Sequence, residues 1–275
     1  PALVRSAAFH SQQTAEKHLK AWLLALGELE NQLTHSLPDL AEDIAKQFVA
    51  FFRDGAIHNA VNVTVMLDPA IAPWARLAEL LGAMAAQMAG QAIRKLTVSC
   101  AGKLAEGETR ELMLSALKGL LARSVEEPVT LVNAPVIARE RGMELVEHKS
   151  EQTPAYISLI TVTAQTQAGE HSLAGTCYDN QEARIVGIDG LDIDLKPADH
   201  LLLMYYADQP GKVGKFGTIL GEAGINIANM SVGRREKRGR AVVALTVDEP
   251  VPPAVLERLR QAVLVDKLYT IRLGE

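Results

Sequence analysis

Apolar positions along this chain change their spacing twice, and each change marks a new kind of element. From Thr14 to Leu33 they fall three or four residues apart, at Leu19, Trp22, Leu23, Leu26 and Leu29, which predicts an amphipathic helix. Ser36 to Asp39 breaks that pattern, and Pro38 suits the first turn of a second helix. Ile44, Phe48, Phe51 and Phe52 line its apolar face, and Asp54-Gly55 ends it. A short extended run, Ala60 to Met66, leads to a third helix over Ala72–Ala92, rich in alanine and methionine.

Period-two alternation then takes over. Ile93–Ser99 reads as a strand, Thr109–Arg123 as a helix with Leu112, Leu117, Leu120 and Leu121 on its apolar stripe, and Val129–Val132 as a short buried strand. Ala134–Arg141 is a short helix closed by Gly142. Strands are expected at Glu144–Val146, Tyr156–Gln165, His171–Thr176, Arg184–Ile188 and Leu191–Leu195. The turn signals Gln167-Ala168-Gly169, Asp179-Asn180 and Asp189-Gly190 separate them. Helices first and strands after predict a mixed domain with an antiparallel sheet.

The last seventy-odd residues are the most regular. Leu201–Ala207 is nearly all apolar, as a central strand would be. Asp208-Gln209-Pro210-Gly211 turns into a helix that runs to about Ala223 and is capped by Gly224. Strand Ile225–Val232, a charged hairpin Arg234–Arg240, strand Arg240–Val247, helix Pro252–Val263 and strand Lys267–Leu273 complete the order β-α-β-β-α-β, with both helices on one face of a four-stranded sheet. The expected fold class is α+β: a helical segment over 1–60, a mixed domain over 61–198 and a ferredoxin-like domain over 199–275.

Composition trims the functional options. A charge of -5 argues against bulk nucleic-acid binding, although small anions respond to local charge. Pro73, Arg76, Glu79, Gln87 and Gln91 interrupt the longest apolar helix, so no membrane span is expected. Residues 1–10 lack the order of a secretory signal, and Cys100 and Cys177 make neither a disulfide framework nor a metal cluster, which points to the cytoplasm. No metal ligation is expected, because the histidines, among them His10, His18, His35 and His58, show no ligand pairing. Gly211, Gly214 and Gly217 are spaced by three in a helix and do not make a dinucleotide fingerprint, so no cofactor is expected in this chain.

Candidate binding chemistry gathers at the start of the first C-terminal helix. Backbone amides near Gly211 and Lys212 favour a carboxylate, and Gly211 lets a ligand approach the backbone. Asp208 suits an ammonium group, and the Asn226 amide offers donors and acceptors, a combination fitted to a zwitterion. Asp208 also reads as a helix cap, Asn226 as a strand-end residue bonded to nearby backbone, and Tyr206 as core.

Tyr206-Ala207-Asp208-Gln209-Pro210-Gly211, with Gly224-Ile225-Asn226-Ile227 after the helix, resembles the ACT domain, an amino-acid sensor, and more closely the serine-binding domain of the D-3-phosphoglycerate dehydrogenase family. Where one branch of that family has histidine, this chain has Tyr206, as in the longer branch with an extra intervening domain. Val132-Asn133-Ala134-Pro135, Ile137–Gly142 and Arg184–Gly190 resemble that intervening domain. Arg53-Asp54-Gly55 and Asn59–Asn62 resemble the return segment before it. Leu3 to His10 and Thr14-Ala15-Glu16 resemble the stretch around the family's catalytic histidine, but the spacing is one residue short and a glycine is missing, so no working acid is expected.

The resemblance implies L-serine bound by Tyr206, Asp208, Gly211, Lys212 and Asn226 at the seam of two sensor domains, hence a homo-oligomer. NAD belongs to the parent family's catalytic domain, which stands as a potential partner, as does an unrelated enzyme docking on the first helix. It also implies a small anion on the intervening domain, with Arg139, Arg141, His148, Lys149 and Arg184 as available cations. Glu140, Glu144 and Glu147 nearby favour an ordinary solvated surface instead. Arg234, Arg235, Lys237, Arg238 and Arg240 lack interleaved aromatics and read as a solvated hairpin.

Overall fold

The computed structural model describes residues 70–274 apart from 126, 127, 154, 180 and 181. The chain divides into two compact units, Pro1–Val63 and Thr64–Glu275, and all the elements that follow belong to the second. The helices expected over 14–33 and 36–55, the extended run 60–66 and His10 lie outside the described residues.

Helix α1 (Ala72–Ala89) has Pro73 in its first turn, where a missing amide hydrogen costs nothing, and buries Trp74, Leu77, Leu81, Met84 and Met88. It stops three residues short of the expected Ala92 because Gly90 adopts φ 62, a left-handed C-cap. Helix α2 (Arg110–Leu121) lies against it. At the crossing a Cβ on Gly82 would land on the Ala116 carbonyl oxygen, and one on Gly119 on the Glu79 carbonyl oxygen. The two backbones therefore touch reciprocally, and Lys118 pairs with Glu79 at 2.8 Å beside the contact.

These helices cover a six-stranded sheet in the order β2-β1-β3-β4-β5-β6, made of β1 (Lys95–Gly102), β2 (Glu144–Ser150), β3 (Ser158–Gln165), β4 (Glu170–Tyr178), β5 (Glu182–Ile188) and β6 (Leu191–Leu195). Every neighbouring pair is antiparallel except β1–β2, so the sheet is mixed where an antiparallel one was expected. The parallel partner returns through helix α3 (Ala134–Glu140), and Gly142 leaves it at φ 66. Strand β2 also runs to Ser150 rather than Val146. Its Glu147, His148 and Lys149 are exposed, as suits the edge of a sheet.

The strand expected over Val129–Val132 is a turn. The Asn133 side chain accepts from the Thr130 amide at 2.7 Å and donates to the Pro128 carbonyl at 3.0 Å, satisfying backbone that a sheet would otherwise pair. Val129 is buried, but Val132 is half exposed.

The second sheet has the order β10-β7-β9-β8: β7 (His200–Ala207), β8 (Ile227–Arg234), β9 (Arg240–Val247) and β10 (Lys267–Arg272). All pairs are antiparallel. Helices α4 (Lys212–Glu222) and α5 (Pro253–Val263) pack on one face against Leu202, Met204, Tyr206, Val243 and Leu245. From the other face Leu201, Leu203, Tyr205, Val242 and Ala244 join the core of the six-stranded domain. Burial on both faces explains why β7 and β9 are apolar at nearly every position.

The two outer strands differ. The Gln87 amide of α1 bonds to both the nitrogen and the oxygen of Arg272, at 2.9 and 3.0 Å, and so stands in for a neighbouring strand beside β10. Strand β8 has no such cover on its outer edge among the described residues, and Met230 and Val232 beside that edge are about two-fifths exposed.

Candidate functional site

Strand β7 delivers Asp208 to the end of the second sheet, where the Asp208 amide donates to the Gly239 carbonyl at 2.8 Å. The chain then turns through Pro210 and Gly211, whose φ of 85 is a left-handed conformation that favours glycine, and enters α4. No side chain caps this helix. The Asp208 carboxylate instead meets the Arg234 guanidinium at 2.5 Å. Asp208, Gln209, Gly211, Arg234, Lys237 and Arg238 border a cavity of about 390 Å³. Its chemistry is one acid, three cations and the open amino-terminal turn of a helix, which suits a small molecule bearing a carboxylate.

Two residues of the expected set do other work. Tyr206 is fully buried and packs edge-on against Phe216, with ring centroids 5.2 Å apart. Its hydroxyl is buried without a partner. Burial, then the neighbouring Asp208 charge, raise its pKa, with Arg234 opposing. Side-chain alternation aims Tyr206 into the helix-facing core. Lys212 is also buried, and its ammonium donates to the Val263 carbonyl, tying the start of α4 to the end of α5. Its backbone amide donates to Gln209 at 3.3 Å.

Asn226 sits at the far end of the sheet. It precedes β8, whose first residue Ile227 pairs with Val247, whereas Asp208 follows β7, whose last residue Ala207 pairs with Arg240. An eight-residue strand separates those ends by roughly 25 Å. The Asn226 amide donates to Asp248 at 2.7 Å. Within one chain, then, Asp208 and Gly211 come together and Asn226 does not join them.

The suggested anion cluster on the intervening domain is likewise not assembled. Arg141 donates to the hydroxyl and carbonyl of Ser124 at 2.7 and 2.8 Å, Lys149 to the Gly107 carbonyl at 2.7 Å, and Arg184 meets Glu182 at 3.1 Å. His148 and Lys149 lie on β2 and Arg184 on β5, four strand spacings or roughly 19 Å apart. Arg139 is exposed on α3. Backbone carbonyls have taken up Arg141 and Lys149, and carboxylates have taken up Arg184.

The sequence reading missed Arg234, grouping it with a solvated hairpin. Its contact with Asp208 joins residues 26 apart in the chain, a tertiary fact invisible to local pattern. Cys100 and Cys177 are buried, which pushes their thiols up to about 12 and about 11, so neither supplies a thiolate at neutral pH. Among the described residues no three acidic, histidine or cysteine side chains are grouped to hold a metal. No helix among them is long and apolar enough to cross a membrane.

Comparison with known proteins places this geometry. Residues 70–189 match the D-3-phosphoglycerate dehydrogenase intervening domain, residues 200–263 the ACT domain, and residues 2–63 the HEPN domain. The chain is 35% identical over 239 residues to the D-3-phosphoglycerate dehydrogenase of Synechocystis, covering 86% of this chain and 43% of that protein. It is 37% identical over 222 residues to the enzyme of Archaeoglobus fulgidus, covering 78% of this chain and 42% of that one, and 34% identical over 239 residues to that of Mycobacterium tuberculosis, covering 86% and 44%. The chain thus spans less than half the length of these curated relatives. With an intervening domain followed by an ACT domain on the sheets described above, residues 70–263 belong to the C-terminal regulatory region of the D-3-phosphoglycerate dehydrogenase family.

Proposed function

We propose that this chain is the L-serine-sensing regulatory part of a D-3-phosphoglycerate dehydrogenase-like protein, acting as a homo-oligomer. One observation carries the reading: the cavity at the start of α4 lies beside the uncovered edge strand β8, with Arg234, the last residue of that strand, in its wall. If β8 pairs antiparallel with β8 of a second copy, the two-fold axis sets the start of one strand against the end of the other. Asn226 of the second copy then arrives next to Arg234 and Asp208. The 25 Å separation within one chain is closed by the partner.

In this arrangement the ligand ammonium displaces Arg234 from Asp208. The ligand carboxylate faces the helix start at Gly211, and the amide of Asn226 completes the grip across the seam. Serine binds the paired state and not the separated chain, which shifts the population toward pairs.

Calorimetric titration with L-serine tests the site, with sedimentation velocity read in parallel. Wild type binds serine and sediments as a dimer or larger. Asp208→Ala and Asn226→Ala each lower affinity about tenfold or more, as the loss of one charge-assisted bond would. Undiminished binding in both variants removes the assignment. So does stoichiometric binding by a strict monomer.

The extent of the match favours a second reading, in which these residues are the C-terminal portion of an active NAD-dependent D-3-phosphoglycerate dehydrogenase and NAD is held by another domain. The match of residues 2–63 to a different family favours a third, a sensor attached to a different partner function. Turnover of 3-phosphoglycerate and NAD by this polypeptide alone would overturn the first reading.

A further inference from the structure

The turn Asp189-Gly190 joins β5 to β6 in the seam between the two sheets, and it holds both strands that meet at the candidate site. Asp189 sits at φ 50, and its amide donates to the Ser172 carbonyl at 2.7 Å, which fixes the turn on β4. The Asp189 carboxylate accepts from the Tyr205 hydroxyl at 2.5 Å, from the Ser172 amide at 2.9 Å, and lies 3.0 Å from Nδ1 of His171. Burial works to raise this carboxyl, but the bonds from His171, Tyr205 and Ser172 outweigh it and hold Asp189 below the ordinary carboxylate range. Tyr205 is buried and belongs to β7, the strand that leads into Asp208.

Gly190 grips the other strand. Its carbonyl accepts from Nε of Arg235 at 3.2 Å, and Arg235 directly follows Arg234 at the end of β8. Gly190 has φ 73, and a Cβ there would lie 2.5 Å from Nη2 of Arg235, so only glycine lets the guanidinium rest on the turn in this position.

This contact is the last of a series. Ser231 meets Asp194, Gly233 lies on Asp192, and Arg235 reaches Gly190. Each step goes two residues forward from Ser231 and two back from Asp194, as the alternation of side chains along a strand requires. Arg234, between two of these contacts, therefore faces the other way, and its guanidinium meets Asp208 at 2.5 Å. Neighbouring residues of one turn thus hold the strand that supplies the acid and the hairpin that supplies its cation.

Resting on the reading of the Asp208 cavity as an amino-acid site, we propose that the Asp189-Gly190 turn is a positioning element for it: by anchoring Arg235 the turn keeps Arg234 on Asp208, as a built-in competitor of the ligand ammonium. The ammonium reaches Asp208 only when the guanidinium has left, so the apparent affinity is scaled by the fraction of chains in which it has. The Arg234 and Asp208 side chains are 49% and 19% exposed, which makes their contact a surface ion pair and the expected effect a few-fold one. Coupling of this kind is reciprocal. A ligand that displaces Arg234 also loosens Arg235 from Gly190, and occupancy is passed to the six-stranded domain.

The test is calorimetry with L-serine on the full chain, joined to amide hydrogen exchange without ligand. Arg235→Ala, at an exposed position, tightens serine binding about threefold. Arg235→Lys, which still offers a donor to the Gly190 carbonyl, restores the wild-type affinity, as a general loss of structure would not. In an Arg234→Gln background Arg235→Ala adds nothing, because the competitor is already gone. Unchanged or weaker binding in Arg235→Ala, no rescue by lysine, or an equal gain in both backgrounds overturns the proposal. Exchange is read at the Asp208 amide, which bonds to the Gly239 carbonyl at the base of the hairpin, and Arg235→Ala speeds it about threefold. A response in exchange with no serine bound by wild type sinks the amino-acid reading and leaves the positioning intact. Serine bound with exchange unmoved does the reverse.

Discussion

In the six-stranded domain, helices α1 and α2 press backbone to backbone at Gly82 and Gly119, whereas in the four-stranded domain the glycines of α4 meet nothing. A Cβ at Gly214, Gly217 or Gly221 finds no neighbouring atom within 4 Å. Helices α4 and α5 are joined instead at their ends, by Lys212 on the Val263 carbonyl and by Arg258 with Glu222 at 2.6 Å. The same residue type does opposite things in the two regions. In one it lets a packed layer close; in the other it leaves a surface unfilled next to the cavity and the bare strand. The first domain is built as a body, and the second keeps room for something else.

The sharpest way to break this contrast is Gly119→Ala. The added methyl has a backbone carbonyl in its way and no flexible side chain to push aside, so we expect a loss of about 3 kcal/mol in denaturant unfolding. A loss below about 1 kcal/mol would mean that the helix crossing is not the rigid contact it looks.

Asp189→Asn comes next, at the seam. Asparagine tolerates the left-handed backbone, so the change isolates charge and hydrogen bonding. Stability at neutral pH should fall by about 1–3 kcal/mol as the Tyr205 and His171 donors lose an ionised acceptor. The folded pKa of Asp189 is lowered, so its contribution is complete above the unfolded value of about 3.9 and fades as pH drops through the lower folded value. Wild type and variant should therefore converge below about pH 4 in acid unfolding curves. Parallel curves throughout would rule out the charge as the cause.

Gly217→Ala should have the smallest effect and the opposite sign. With open space around it, alanine raises helix propensity and stabilises α4 by about 0.5–1 kcal/mol in thermal or denaturant unfolding of the separated chain. Destabilisation would show that this face is covered.

Much of this was legible from pattern. The apolar runs and turn residues of 200–272 placed every strand within about two residues, because β7 and β9 are buried on both faces and the turns carry their own chemistry. The run Val129–Val132 misled: four apolar-looking positions cannot reveal that Asn133 captures the backbone on both sides. Strand β2 was cut short for the reverse reason, since Glu147, His148 and Lys149 carry no apolar alternation on a solvated edge. At the candidate site, Asp208 and Gly211 were visible as a turn with helix-start chemistry. The role of Arg234 was not, nor the burial of Tyr206 and Lys212, because each depends on a strand or helix distant in sequence.

Strand β8 carries one last implication. A Cβ on Gly233 would come within 2.5 Å of the Asp192 carbonyl, and two residues earlier the Ser231 hydroxyl receives the Asp194 amide at 2.9 Å. The strand is thus clamped flat on β6 while its rim is bare. Anything that mates with that rim would press on β6 through residues 231 and 233. An event at the rim of the smaller sheet would thus reach the larger one at its last strand, through Asp192 and Asp194.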